Sequence, residues 1–370
     1  MKLRNFLLGT TAILGAGVVV TGSGQAAEIQ PGGYPDITIT GFARFLAHGG
    51  QLDDARQDDS YSRKLDFSND TEVHVLARAK SEQTGLEYGG TIEFEADTNR
   101  TDNSDETWVF LRGGWGEVRL GDEDGVADNS SVGAQTVAAG TGGIDGSVVD
   151  TLAQGMVYLT NTNDATKVRY YTPSFGGFSI GVDYTPTQTV IDSGAFNGDF
   201  LARKDGANAM EAKNVVEGGL IYNGDVAGVA VLASVVGVTG KITSNGEDAF
   251  GDDKWWGWQA GATVDLFGFK LGGSFADEQV GNLDRTFFTA GLGAALGPVN
   301  TSVTYSQWVD SSGYAADKPY NLVFSADVPL APGLVLAGDI GFFDNDISGD
   351  SGSDGGDTGW QAVGRVGLAF

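Results

Sequence analysis

Six basic side chains are placed where they could act together on charged solutes: Arg44, Arg78, Lys80, Arg119, Lys167 and Arg169. Each occupies a polar position in a segment where apolar and polar residues alternate, so each shares a face with the other polar residues of its segment. Lys167, Arg169 and Tyr171 oppose Val168, Tyr170 and Thr172, and Arg119 alternates with Val118 and Leu120. Between these bases, residues 122–166 hold Asp122, Glu123, Asp124, Asp128, Asp145 and Asp150 and no lysine or arginine. Bases fixed on a wall and acids on a loop facing it would set up a field across the gap, and low-dielectric walls would concentrate that field. Such a field orients polar solutes and disfavours apolar ones; it breaks no bonds. Catalysis lacks its parts, because the chain has only His48 and His74, no G-x-S-x-G elbow and no H-E-x-x-H pair. The absence of cysteine removes disulfides and thiolate metal ligands as well.

Positioning these groups requires strands. From Asp36 to the end, sixteen segments of roughly ten residues alternate in character. Ile37, Ile39, Gly41, Ala43 and Phe45 oppose Thr38, Thr40, Phe42, Arg44 and Leu46. Val73, Val75, Ala77 and Ala79 oppose Glu72, His74, Leu76, Arg78 and Lys80, and Ile92 and Phe94 oppose Thr91, Glu93 and Glu95. The final segment sets Trp360, Val366, Leu368 and Phe370 against Gln361 and Arg365. One apolar face and one charged face are what a barrel wall in lipid needs. The mean hydropathy of −0.10 fits this arrangement, since lipid-facing and water-facing residues cancel. After the first 26 residues no apolar run is long enough for a spanning helix, so a membrane-embedded chain must be a barrel.

Lys2 and Arg4, the apolar stretch 6–20 and Gly24-Gln25-Ala26 read as an export leader over residues 1–26, leaving 27–370 as the barrel domain. A net charge of −27 makes nucleic acid an improbable partner. The connections alternate between short turns (at Thr84-Gly85, Gly113-Gly114, 174–177, 223–225, 266–268, 296–298 and 329–333) and long acidic loops. The loops span 49–70, 97–105, 122–166, 186–213, 238–252, 277–282, 310–317 and 344–357. Sorting loops by length onto one end gives short periplasmic turns and long outer loops.

The runs 108–124 (WVFLRGGWGEVRLGDED) and 167–184 (KVRYYTPSFGGFSIGVDY), the closing VGRVGLAF and the opening ITGFARF resemble segments of Gram-negative general porins, particularly alphaproteobacterial ones. The resemblance implies an all-β fold, a sixteen-stranded antiparallel transmembrane β-barrel, with its third loop, 122–166, folded into the lumen. It also implies a homotrimer in the cell outer membrane of a Gram-negative bacterium, surrounded by lipid and lipopolysaccharide, that passes small hydrophilic solutes and ions by diffusion. From the residues themselves, the eyelet is expected to have Arg44, Arg78 and Arg169 on the wall and Asp145 and Asp150 on the loop. The segment 142–146 departs from the acidic tip of enterobacterial porins. A structural or adhesion barrel closed by its own loops is the alternative; the basic patch inside the wall argues against it. An aromatic slide for sugars would need more lumen aromatics than Phe42 and Tyr171.

Two further readings concern ions and lipid. Asp344, Asp346 and Ser348, with Gly349 at position six, follow a calcium-loop spacing, but position twelve is Gly355 and not glutamate. No cofactor is expected beyond loosely bound Ca²⁺ or Mg²⁺. The clusters Trp255-Trp256-Trp258, Phe287-Phe288, Trp308, Tyr170 and Phe342-Phe343 are expected to form interfacial girdles.

Overall fold

The computed structural model describes residues 34–53, 65–96, 104–147, 157–188, 211–243, 253–281, 283–312, 318–344 and 358–370. The proposed leader lies outside these residues, as do Asp150, Asp346 and Ser348. Sixteen antiparallel strands close into one barrel. They are β1 (Asp36–Asp53), β2 (Asp66–Lys80), β3 (Glu87–Glu95), β4 (Thr107–Gly113), β5 (Gly116–Asp122), β6 (Thr166–Tyr171), β7 (Phe178–Gln188) and β8 (Glu211–Val226). The second half comprises β9 (Val229–Thr243), β10 (Lys254–Leu266), β11 (Phe269–Val280), β12 (Leu283–Leu296), β13 (Val299–Asp310), β14 (Tyr320–Ala331), β15 (Leu334–Asp344) and β16 (Thr358–Ala369). β1 pairs with both β2 and β16, so no edge is left to bind other chains.

The alternation sorts side chains as the sequence predicts. Ile37, Ile39, Ile92, Val366 and Leu368 are exposed on the outside, whereas Thr91, Glu93, Gln361 and Arg365 are buried within. The short turns follow from local chemistry. Ala227 and Phe267 take positive φ and are each followed by a glycine at positive φ, the two-residue pattern that matches strand twist. The β8–β9 turn thus lies at Ala227-Gly228, not at the expected 223–225, because β8 pairs with β9 through Val226.

Strict alternation of short and long connections breaks at 277–282. There β11 runs to Val280 and β12 starts at Leu283, so the expected sixth loop is a tight connection. Cross-strand pairing of Asp277 with Thr286 and Glu278 with Arg285 absorbs residues that look like a loop by charge.

The girdle expectation also divides by parity. Trp256, Trp258 and Phe342 face outward, but Trp255, Phe287, Trp308 and Phe343 are buried inside the barrel. They are needed there because the described residues between β5 and β6, 123–147 and 157–165, fill part of the lumen. Their single helical turn α1 (Val126–Asn129) packs on β7, β8 and β9. The 3-10 turns Ala134–Val137 and Gly143–Asp145 continue along β10–β13 and β13–β15. Two apolar seats receive this loop. Ala127 and Leu159 sit among Val215, Val236, Trp255, Phe287 and Trp308, while Ile144 and Val157 sit among Leu46, Val323, Phe343 and Val363. Burying one such aliphatic side chain contributes about 1.5–3 kcal/mol.

Candidate functional site

The loop is rooted in a buried charge network. Cross-strand register places Arg119 of β5 directly opposite Arg169 of β6. Two adjacent guanidiniums repel unless an anion separates them. Glu123 does so, with Oε2 3.1 Å from Arg119 Nη1 and 2.5 Å from Arg169 Nη2. Glu117 adds a contact of 2.7 Å to Arg119 Nε. Arg169 Nη1 donates to the Asp124 carbonyl at 2.7 Å, and Lys167 donates to the carbonyls of Glu123 and Asn163. Arg119 lies 4.0 Å over the Trp108 ring, which further restricts its guanidinium.

Beyond the root, carboxylates of the inner wall hold the loop backbone. Asp183 of β7 accepts from Val126 N at 2.6 Å. Glu217 of β8 accepts from Ala127 N at 2.7 Å, Thr162 N at 2.8 Å and the Thr162 hydroxyl at 2.6 Å. Glu278 of β11 takes Thr160 N at 2.8 Å, and Asp327 and Asp339 take Gly140 N and Thr141 N at 3.0 and 3.1 Å. A loop without sheet partners has N–H groups to satisfy, and buried carboxylates satisfy them strongly. Close approach is permitted by glycines on the inner wall. A Cβ at Gly261 would overlap the Val132 carbonyl oxygen, and one at Gly293 would come within 2.6 Å of the Val137 oxygen.

The structure distributes the predicted charges differently from a bare acidic loop facing a bare basic wall. Arg119, Lys167 and Arg169 contact the loop root directly. Arg44 sits on β1, four strands from β5, 2.8 Å from Asp70 and 3.7 Å above the Phe42 ring. Arg78 and Lys80 lie at the short-turn end of β2, where Lys80 pairs with Glu87 at 3.0 Å, so they belong to the mouth of the barrel and not to its waist. Asp122 belongs to β5 and accepts from the Thr166 hydroxyl. Asp124 is buried, Asp128 is largely enclosed beside Asn161, and Asp145 accepts from the Tyr158 hydroxyl at 2.6 Å. The acids are therefore turned toward wall and loop. Carboxylates left without a partner in a packed lumen would be costly.

Sequence reasoning missed the anchoring acids Asp183, Glu217, Glu278 and Asp339, and also Arg285 and Arg365. Arg285 pairs with Glu278 and donates to the Tyr158 carbonyl at 2.8 Å, and Arg365 donates to the Gly140 carbonyl at 3.2 Å. Their inward parity was readable, since Glu217 and Asp183 alternate with apolar residues. Nothing local says what they face.

A second acidic group sits at the loop root outside the strands. Carboxylate oxygens of Glu106, Asp124 and Asp164 lie within 4.8 Å of one another. Burial lifts Glu106 to about 7, and the nearby Asp164 and Glu123 charges add to this. Burial likewise lifts Asp164 to about 7, with Asp105 adding, and Asp128 to about 6, with Glu217 adding. An opening of about 340 Å³ lies beside this root, lined by Arg119, Asn129, Gln135, Arg169, Tyr171 and Leu232 among others.

The sequence matches a family model described as Gram-negative porin over residues 9–348. The chain belongs to the Gram-negative porin family. Solved porin structures share its fold. An anion-selective porin from Comamonas acidovorans aligns with a TM-score of 0.60 at 18% identity, over 91% of this chain and 100% of that one. The trimer form of the outer-membrane protein OmpT of Vibrio cholerae gives 0.60 at 11% identity, over 91% and 100%. A triple mutant of the Rhodopseudomonas blastica porin gives 0.56 at 14% identity, over 90% and 100%. A search of curated proteins by sequence found no match. This porin is an outer-membrane diffusion channel, and its barrel of sixteen strands is wide enough for a water-filled lumen.

Proposed function

We propose that small hydrophilic solutes and ions pass between the third loop and the β1–β5 wall, under the field of Arg44, Asp70 and the Arg119–Glu123–Arg169 root. The observation that carries this reading is the one-sided seating of the loop. Its described helical turns lean on β7–β15, and the second apolar seat reaches Leu46 on β1, which leaves most of the β1–β5 wall facing them. Arg44 and Asp70 keep part of their surface open there, with side chains 16% and 39% exposed. Single-channel recording of the purified porin in a planar bilayer under a salt gradient tests it. Discrete openings are expected, and Arg44→Gln should lower the anion-to-cation permeability ratio by a factor on the order of two. Silent barrels that remain folded would overturn the reading and leave a structural or adhesion role.

The same recording addresses assembly, which we infer to be a homotrimer opening in groups of three conductance steps. β4, β5 and β6 have only 7, 7 and 6 residues, fewer than the roughly 9–11 that a tilted span takes. Their outward Val109, Leu111, Leu120 and Val168 are nonetheless exposed, so this low section of wall suits cover by a neighbouring copy. The Vibrio cholerae protein is described in its trimer form, which agrees. Lipid and lipopolysaccharide would meet the taller remainder of the apolar outer face.

Passage should also depend on pH. Glu106 and Asp164 hold protons up to about 7 in the folded chain. Unfolded carboxyls lose theirs near 4. Between those values the folded state binds more protons, so these groups' contribution to stability falls as pH rises through the window and is flat above it. As the root acquires negative charge, cation preference should rise between pH 5 and pH 8. Glu106→Gln should flatten that change in reversal potential; an unaltered pH profile would rule Glu106 out as its source.

A further inference from the structure

We propose that Glu72, His74 and Glu93 form a binding site for a first-row divalent cation such as Zn²⁺ on the inner wall of the barrel. Glu72 and His74 stand two residues apart on β2 and so share a face, and Glu93 is paired directly across from His74 on β3. That face is the inner one, since Ile92 and Phe94 on the other parity are exposed outside. The three ligand atoms lie within 4.8 Å of one another. His74 Nε2 is 3.3 Å from Glu72 Oε2 and 3.6 Å from Glu93 Oε2. Tetrahedral zinc with bonds of about 2.0–2.2 Å to nitrogen and oxygen places its ligands about 3.3–3.6 Å apart. The group therefore needs little movement to close on an ion, and water from the lumen can supply a fourth ligand.

An ordinary ion pair accounts for the cluster less well. One imidazolium can neutralise only one of two carboxylates, and Arg44, the nearest base on β1, is engaged by Asp70. Glu72 and His74 are each only 9% exposed and Glu93 6%, so a second carboxylate charge would have to be held out of water. Glu72 Oε1 is buried without a hydrogen-bond donor, and His74 Nε2 lacks a well-aligned acceptor. A divalent cation at the Glu72 carboxylate would give His74 Nε2 a partner and balance both acids. An imidazole nitrogen with two carboxylates suits zinc and its first-row neighbours; calcium and magnesium take oxygen ligands throughout.

The test is isothermal titration of ZnCl₂ into the purified, chelator-stripped full-length porin in detergent. One Zn²⁺ per chain is expected, with affinity reduced at least about tenfold in His74→Gln and in Glu93→Gln and no displacement by equimolar Ca²⁺ or Mg²⁺. Glu72→Gln serves as a third variant if either of these fails to give the heat-modifiable mobility of a folded barrel. X-ray absorption of the zinc-loaded protein should show one imidazole nitrogen with oxygen ligands. Absence of binding, or binding of equal strength in all folded variants, would overturn the site, the latter by placing zinc on the outer loop acids. Because binding is read without conductance, its failure is separate from failure of the pore pathway.

Discussion

Replacing Glu217 with alanine is expected to release the third loop from the wall and raise single-channel conductance about twofold or more, with added current noise. Glu217 is fully buried on the inner face of β8 and ties down two legs of the loop at once. One carboxylate oxygen holds Ala127 N on the outgoing leg; the other holds Thr162 N and its hydroxyl on the returning leg. Alanine would leave these donors buried without acceptors, and each hydrogen bond to a charged group contributes roughly 1.5–3 kcal/mol. The β7–β8 and β8–β9 ladders do not depend on this side chain, so the barrel should keep its heat-modifiable mobility. Glu217→Gln keeps one acceptor oxygen and should fall between the two. Conductance in Glu217→Ala equal to that of the unaltered porin would show that the loop is held by its apolar seats alone.

The second large effect is expected at Glu123. Neutralising it as Glu123→Gln leaves Arg119 and Arg169 facing each other across one strand pair with no anion between them. The Glu123 and Arg169 side chains are only 1% and 3% exposed, so little water can take over. Breaking one side of a buried pair costs about 3–5 kcal/mol because the partner charge stays buried. Thermal unfolding should move down accordingly, and the reversal potential should shift toward anions. Arg169→Met should destabilise by a similar amount and shift the potential toward cations. The double variant should recover much of the stability, since no charge is then stranded; a double-mutant cycle with additive losses would refute the coupling.

The wall was legible because its determinant is local. A strand needs only period-2 alternation to decide which side chains face lipid, and Ile37, Ile92, Val366 and Leu368 take the outer face accordingly. The same parity correctly turned Arg44, Arg119 and Arg169 inward. It could not place them in height, and so it grouped Arg78 and Lys80, which lie beside the short turn, with the waist. It also misread Trp255, Phe287, Trp308 and Phe343, whose inward parity conflicts with an interfacial role and makes sense only once a loop lies against them.

The sequence by itself determined a closed, lipid-facing antiparallel wall, its turn chemistry and an acidic third connection long enough to enter the lumen. Only the tertiary structure decided what those acids do. Glu217 meets partners 90 and 55 residues away, and Asp339 meets Thr141 across 198 residues. Contacts of that span leave no trace in local periodicity. They arise because burying a loop inside a barrel obliges each buried donor and charge to find a partner on whichever strand closure brings opposite it.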